Sequence, residues 1–214
     1  MKVLVFGATG SAGGSVLHAC LASPVVVEVR AIVRRPLTLA HDKLRVFVHD
    51  DFLDYGVVGD AFADVDACFF CLGISATQVS GEEEYRRITH DFALAAARAL
   101  KLHSPAVAFH FISGRGTRLD SRMMWARVKA ETERDLIEEV GAVCWRPAFI
   151  DGETSASAPR VYQWLRPAFR VLAPFRSLYV AGGDIGRAMI QATVEKQRGR
   201  IIENPEIRAI ASRA

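Results

Sequence analysis

Residues 6–14 read FGATGSAGG, and the fold depends on how this stretch is taken. Before it, Lys2 to Phe6 (KVLVF) is a short apolar run; after it, Val16, Leu17, Ala19, Cys20 and Leu21 recur at helical spacing. The order is therefore strand, glycine turn, helix. Gly7, Gly10 and Gly13 stand three apart. Gly7 permits the tight turn, Gly10 lets the backbone approach a pyrophosphate, and Gly13 lets helix and strand pack closely. Free N–H groups at the helix start then face the anion. Glycine turns also join strands to helices in proteins that bind nothing, but a position at the first strand–helix junction favours a dinucleotide.

The same alternation continues outward. VVVEVRAIV at 25–33 and LRVFV at 44–48 have the composition of buried parallel strands, and VDACFFCLG at 65–73 supplies a fourth. A long helix is predicted over 81–102, a fifth strand over 106–113, a charged helix over 120–140 ended by Gly141, and a sixth strand over 142–150. Residues 184–196 resume a helix, and RIIEN adds a last strand. Strand and helix alternating this regularly predict a doubly wound α/β fold, one parallel sheet covered on both faces, in a single domain spanning 1–214. Residues 152–183 break the rhythm with an aromatic and arginine-rich stretch. They read as a lid or substrate-side insertion, with a membrane-touching or partner-binding surface as the other reading.

Bulk properties narrow the partners. The 27 basic and 24 acidic residues leave a charge of +3, too slight to argue for nucleic acid. Neither a signal peptide nor a membrane span fits the N-terminal run, which predicts a cytoplasmic protein with no membrane partner. Cys68 and Cys71 have redox-motif spacing but lie in an apolar strand rather than at a helix start, so they read as buried thiols. The histidines show no ligand spacing with cysteines or carboxylates, and no metal site is expected.

Dinucleotide domains selective for NAD carry an acid at the end of the second strand, to bond the ribose hydroxyls. Here that place holds Arg34 and Arg35. A guanidinium forms charge-assisted bonds with a 2′-phosphate that an acid would repel, which predicts NADP(H) with Arg34 foremost. The alternative is a pair of arginines solvating a turn before Pro36.

Together, GATG, the basic pair, HFISGRGT, the Lys129 helix and Arg146-Pro147 resemble the atypical short-chain dehydrogenase/reductase superfamily. Within it the chain is similar to the small NAD(P)-binding proteins akin to the Tat-interacting-protein oxidoreductases. The resemblance covers most of the chain to about residue 150 and implies particular roles. Thr9, Gly10, Ser11, Ala12 and Gly13 would hold the pyrophosphate, and Arg34 and Arg35 the adenosine phosphate. Asp51 and Phe52 would flank the adenine, while Cys71, Leu72 and Gly73 line the cofactor. Lys129 would bond the nicotinamide ribose, and Ser113 would supply, or stand beside, a substrate-orienting hydroxyl; its other reading is a serine ending a strand.

The chain departs from that pattern at Trp125, in MWARVKAETERDL. Carbonyl-reducing members place a tyrosine four residues before the lysine, because a phenol beside an ammonium can pass a proton. An indole N–H cannot do so. Trp125 would shelter a nicotinamide, attract the Lys129 ammonium, or simply pack into the domain. Tyr85, Tyr162 or Tyr179 could stand in as the acid. Arg115 and Arg118 read as a solvated turn or as a grip for an anionic substrate. Two functions follow: an NADP-dependent oxidoreductase or isomerase acting on a small carbonyl or alcohol, or a catalytically weak NADP-redox-sensing protein working through a protein partner; a homo-oligomer is compatible with both.

Overall fold

The computed structural model describes residues 1–152 and 178–214. β1 (Lys2–Phe6) is central in the main sheet and shows how the layers divide. Side chains alternate across a strand, so Val3 and Val5 enter one apolar cluster and Leu4 and Phe6 the other. All four are buried, as expected for a parallel sheet covered on both faces.

The other main-sheet strands are β2 (Glu28–Val33), β3 (Leu44–Val48), β4 (Ala67–Phe70), β5 (Ala108–Ile112), β6 (Val143–Arg146) and β9 (Arg200–Glu203). They lie in the order β3-β2-β1-β4-β5-β6-β9, every neighbouring pair parallel. The order reverses between β1 and β4, which opens a crevice at their carboxyl ends, the usual ligand position in such sheets. The doubly wound single domain expected from the sequence is the fold observed.

One face carries α1 (Ser11–Ala22), α5 (Gly182–Val194) and α6 (Asn204–Ala211). The other carries α2 (Glu82–Arg86), a single π-turn over Arg87–Asp91, α3 (Phe92–His103) and α4 (Met124–Val140). Gly141, at φ 62°, closes α4 by donating its amide to Ile137 O at 2.9 Å. The seam between α1 and α5 is very close. A Cβ added to Gly182 would stand 2.3 Å from Ser15 Oγ, and one on Gly186 2.4 Å from the Ala19 Cβ.

Several expectations need revision. β3, read as buried, is an edge strand whose Arg45, Val46 and Val48 are exposed. The single sixth strand is two, because Pro147 cannot donate a ladder bond. β6 stops at Arg146, and β7 (Phe149–Asp151) leaves to pair in parallel with β8 (Tyr179–Ala181) in a separate small sheet. Most of the expected insertion, 153–177, lies outside the described residues; its last part forms β8 and begins α5. α6, with a proline in its first turn, had no counterpart in the sequence reading.

A polar chain crosses the core of the α1 face. The Trp145 indole donates to His110 Nδ1 at 3.1 Å. The proton of this neutral imidazole therefore sits on Nε2, which donates to Thr193 Oγ1 at 3.0 Å, and that hydroxyl donates to Met189 O at 2.9 Å. Burial, aided by the positive charge of Arg198, holds the His110 pKa down to about 3.

Candidate functional site

The turn after β1 is locked by backbone contacts. Gly7 takes φ 75°, and a Cβ there would lie 2.7 Å from the Cys71 carbonyl and the Leu72 amide. Gly10 donates to Gly7 O at 2.9 Å, and a Cβ on Gly13 would reach that same oxygen at 2.0 Å. Only bare backbone fits at this crossing, so β1, β4 and the start of α1 meet there. Gly10 is the N-cap of α1; no side chain caps it, and its first turn carries no acid. The amides of Ser11, Ala12 and Gly13 therefore form an open positive end.

Beside the turn lies a cleft of about 150 Å³ lined by Gly7, Ala8, Thr9, Gly10, Ile32, Val33, Arg34, Phe52, Cys71, Leu72 and Gly73. It brings together most of the residues singled out for the dinucleotide. Ile32 and Phe52 supply buried apolar walls, and Arg34 is exposed at the rim with no hydrogen-bond or ion-pair partner among the described residues. Arg35 and Asp51 stand outside the lining. The Asp51 carboxylate instead accepts from the Leu53 amide at 3.0 Å. Cys71 lines the cleft as a free, half-buried thiol whose pKa burial pushes up, which favours the protonated form. A larger groove of about 680 Å³ runs along α1 and α5, but it includes neither the turn nor Ser113 or Lys129.

A second constellation forms where β5 ends. The Lys129 ammonium donates to Ser113 O at 2.7 Å. Burial lowers its pKa to about 8, against the Glu133 carboxylate one turn later, which works to raise it. Gly116, at φ 88°, faces the half-buried Trp125 indole; a Cβ there would stand in ordinary contact with the ring, at 3.6 Å. Ser113, Trp125 and Lys129 are thus gathered around one loop. Thr117 completes it without having been singled out: its hydroxyl donates to Gly114 O at 2.8 Å, so the Ser113 hydroxyl, 3.1 Å away, directs its proton to Thr117.

The substitute proton donors fare differently. Tyr85 is buried, which raises its phenol pKa. Tyr179 donates to Asp151 at 2.8 Å, and Tyr162 lies outside the described residues. Arg118 pairs with Asp120 at 3.0 Å, whereas Arg115 is exposed. Behind Lys129, Arg146 grips the buried Glu133 through two bonds of 2.9 and 2.6 Å and reaches Glu203 at 3.0 Å. Among the described residues, no helix is long and apolar enough to cross a membrane.

Comparison with known proteins bears on the fold and on the class of cofactor. A family model described as NAD(P)H-binding matches residues 7–135. The mitochondrial protein FMP52 of Eremothecium gossypii is 26% identical over 97% of this chain and 96% of its own length. Its namesake in Saccharomyces cerevisiae is 27% identical over 99% and 97%. Among solved structures, an oxidoreductase of the short-chain dehydrogenase/reductase family from Burkholderia thailandensis superposes with a TM-score of 0.71. It covers 97% of this chain and 92% of its own at 14% identity. The cytoplasmic expectation is overturned, because relatives matched along nearly their whole length are named as mitochondrial. The character of the N-terminal run does not by itself identify a compartment.

Proposed function

From the premise that the chain belongs to the NAD(P)H-binding family, we propose that its crevice selects NADP(H) and serves an oxidoreductase or isomerase acting on a small carbonyl or alcohol. The observation that carries the selection is Arg34. Its guanidinium, unpaired among the described residues, stands on the cleft rim at the end of β2, where an NAD-selective site would place an acid. The open helix end of α1 suits the pyrophosphate, and Ile32 and Phe52 suit a flat base. Such a dinucleotide, when bound, supplies or accepts hydride. The chain's own part is to hold it: Lys129 donates hydrogen bonds toward ribose hydroxyls, and Trp125 screens the site from water. The names of the relatives further support a mitochondrial setting.

Calorimetric titration of both reduced dinucleotides tests the selection. NADPH is expected to bind more tightly than NADH. Arg34→Ala should weaken NADPH about tenfold to a hundredfold, the value of one or two charge-assisted bonds, and leave NADH nearly unchanged. Tighter binding of NADH by the parent protein would refute the assignment.

The indole at 125 favours a second reading, a redox-sensing protein of low turnover. General acid help contributes about a hundredfold to ten-thousandfold. If the chain is an enzyme lacking that help, Trp125→Tyr should raise NADPH oxidation at least about tenfold on some member of a panel of aldehydes and ketones. A panel silent for both proteins, with NADPH still bound, would shift the assignment to the sensor.

A further inference from the structure

Four charged groups of alternating sign run back from the site: Lys129, Glu133, Arg146 and Glu203. The Glu133 carboxylate is almost wholly buried, and Arg146 of β6 takes both its oxygens, at 2.9 and 2.6 Å. A planar guanidinium bonding a carboxylate this way allows one orientation of each. The pair therefore fixes α4 against β6 one turn behind Lys129, and residues four apart share a helix face. Ahead of it, the Lys129 ammonium reaches the carbonyl of Ser113 at 2.7 Å.

We propose that Glu133 is a positioning residue for Lys129: held by Arg146, it sets the turn of α4 that aims the ammonium at the end of β5 and supplies the negative charge that keeps it cationic there. This rests on the reading of Lys129 as a dinucleotide-binding residue, but its structural half does not need the ligand. A half-buried ammonium loses hydration, which favours the neutral amine; a nearby carboxylate opposes that. Among the described residues Glu133 is the charged side chain whose field acts on Lys129. The Ser113 carbonyl and Gly114 of the β5 loop also stand beside the ammonium. Arg146, from β6, faces Glu133, and Glu203 lies beyond Arg146.

Competitive acetylation of the intact protein across pH, read by mass spectrometry on the peptide bearing Lys129, follows the free amine without any dinucleotide. In the parent it should titrate near pH 8. Glu133→Gln is expected to move that midpoint down by about one pH unit, and Glu203→Gln to leave it in place. NADPH affinity, measured by calorimetry, should fall with rising pH along the same curve in each protein. Should Glu133→Gln not fold, Glu133→Asp, which keeps the charge but retracts it, must still lower the midpoint. An unmoved midpoint in whichever of these variants folds overturns the proposal, whatever the affinity. Absence of NADPH binding to the parent would instead defeat the functional reading and leave the acetylation result standing.

Discussion

Gly13→Ala is expected to raise the dissociation constant for NADPH at least about a hundredfold and to destabilise the fold by about 1–3 kcal/mol, the usual cost of forced overpacking. The methyl carbon would meet Gly7 O at 2.0 Å and Gly7 C at 2.6 Å. Neither can retreat. Gly7 is itself pressed on Cys71 and Leu72, and its oxygen holds the Gly10 amide. The strain must therefore appear as displacement of the first turn of α1, whose amides face the anion. Gly81→Ala is the comparison: an added carbon there meets nothing within 4 Å, and stability should stay within about 0.5 kcal/mol. Calorimetry with NADPH and urea unfolding check both; undiminished affinity in Gly13→Ala would remove the turn from the binding site.

The second large effect is a loss of stability in acid caused by His110. Its folded pKa, about 3, lies below the ordinary value of 6.5, so between those values the unfolded chain binds a proton that the folded chain refuses. Stability from this group is complete above about pH 6.5 and is lost as pH falls toward 3, with a slope near 1.4 kcal/mol per pH unit. Protonation would also force Nδ1 to donate toward the Trp145 N–H, itself a donor. Between pH 7 and pH 5 the parent should therefore lose about 2 kcal/mol more than His110→Gln. Parallel urea curves at the two pH values measure the difference. Equal losses would show that the imidazole is solvated or charged in the native state.

Residues whose role is local were legible from sequence. Gly7, Gly10 and Gly13 act within one turn, and Arg34 follows β2 directly, so both could be placed at the crevice by counting from the strand ends. What was missed depends on partners distant in the chain. His110 meets Trp145 35 residues later and Thr193 83 residues later, and no periodicity encodes such a meeting. β3 was read as buried because its composition is apolar; being the last strand of the sheet is a property of topology. Asp51 and Arg35 neighbour cleft residues in sequence but stand outside its lining. Thr117 escaped notice because a hydroxyl on a loop has no signature until the serine it serves is known.

The close seam of α1 with α5 bears on how the chain is made. Most of the elements flanking β1 leave the ribosome early, yet the apolar side of α1 is covered by a helix that begins at Gly182. Until that late segment emerges, the nascent chain must carry an uncovered helical flank beside a preassembled sheet. A chaperone able to shield such a flank during translation should therefore raise the yield of native protein, and a message truncated just before the codon for Gly182 should direct the synthesis of insoluble product.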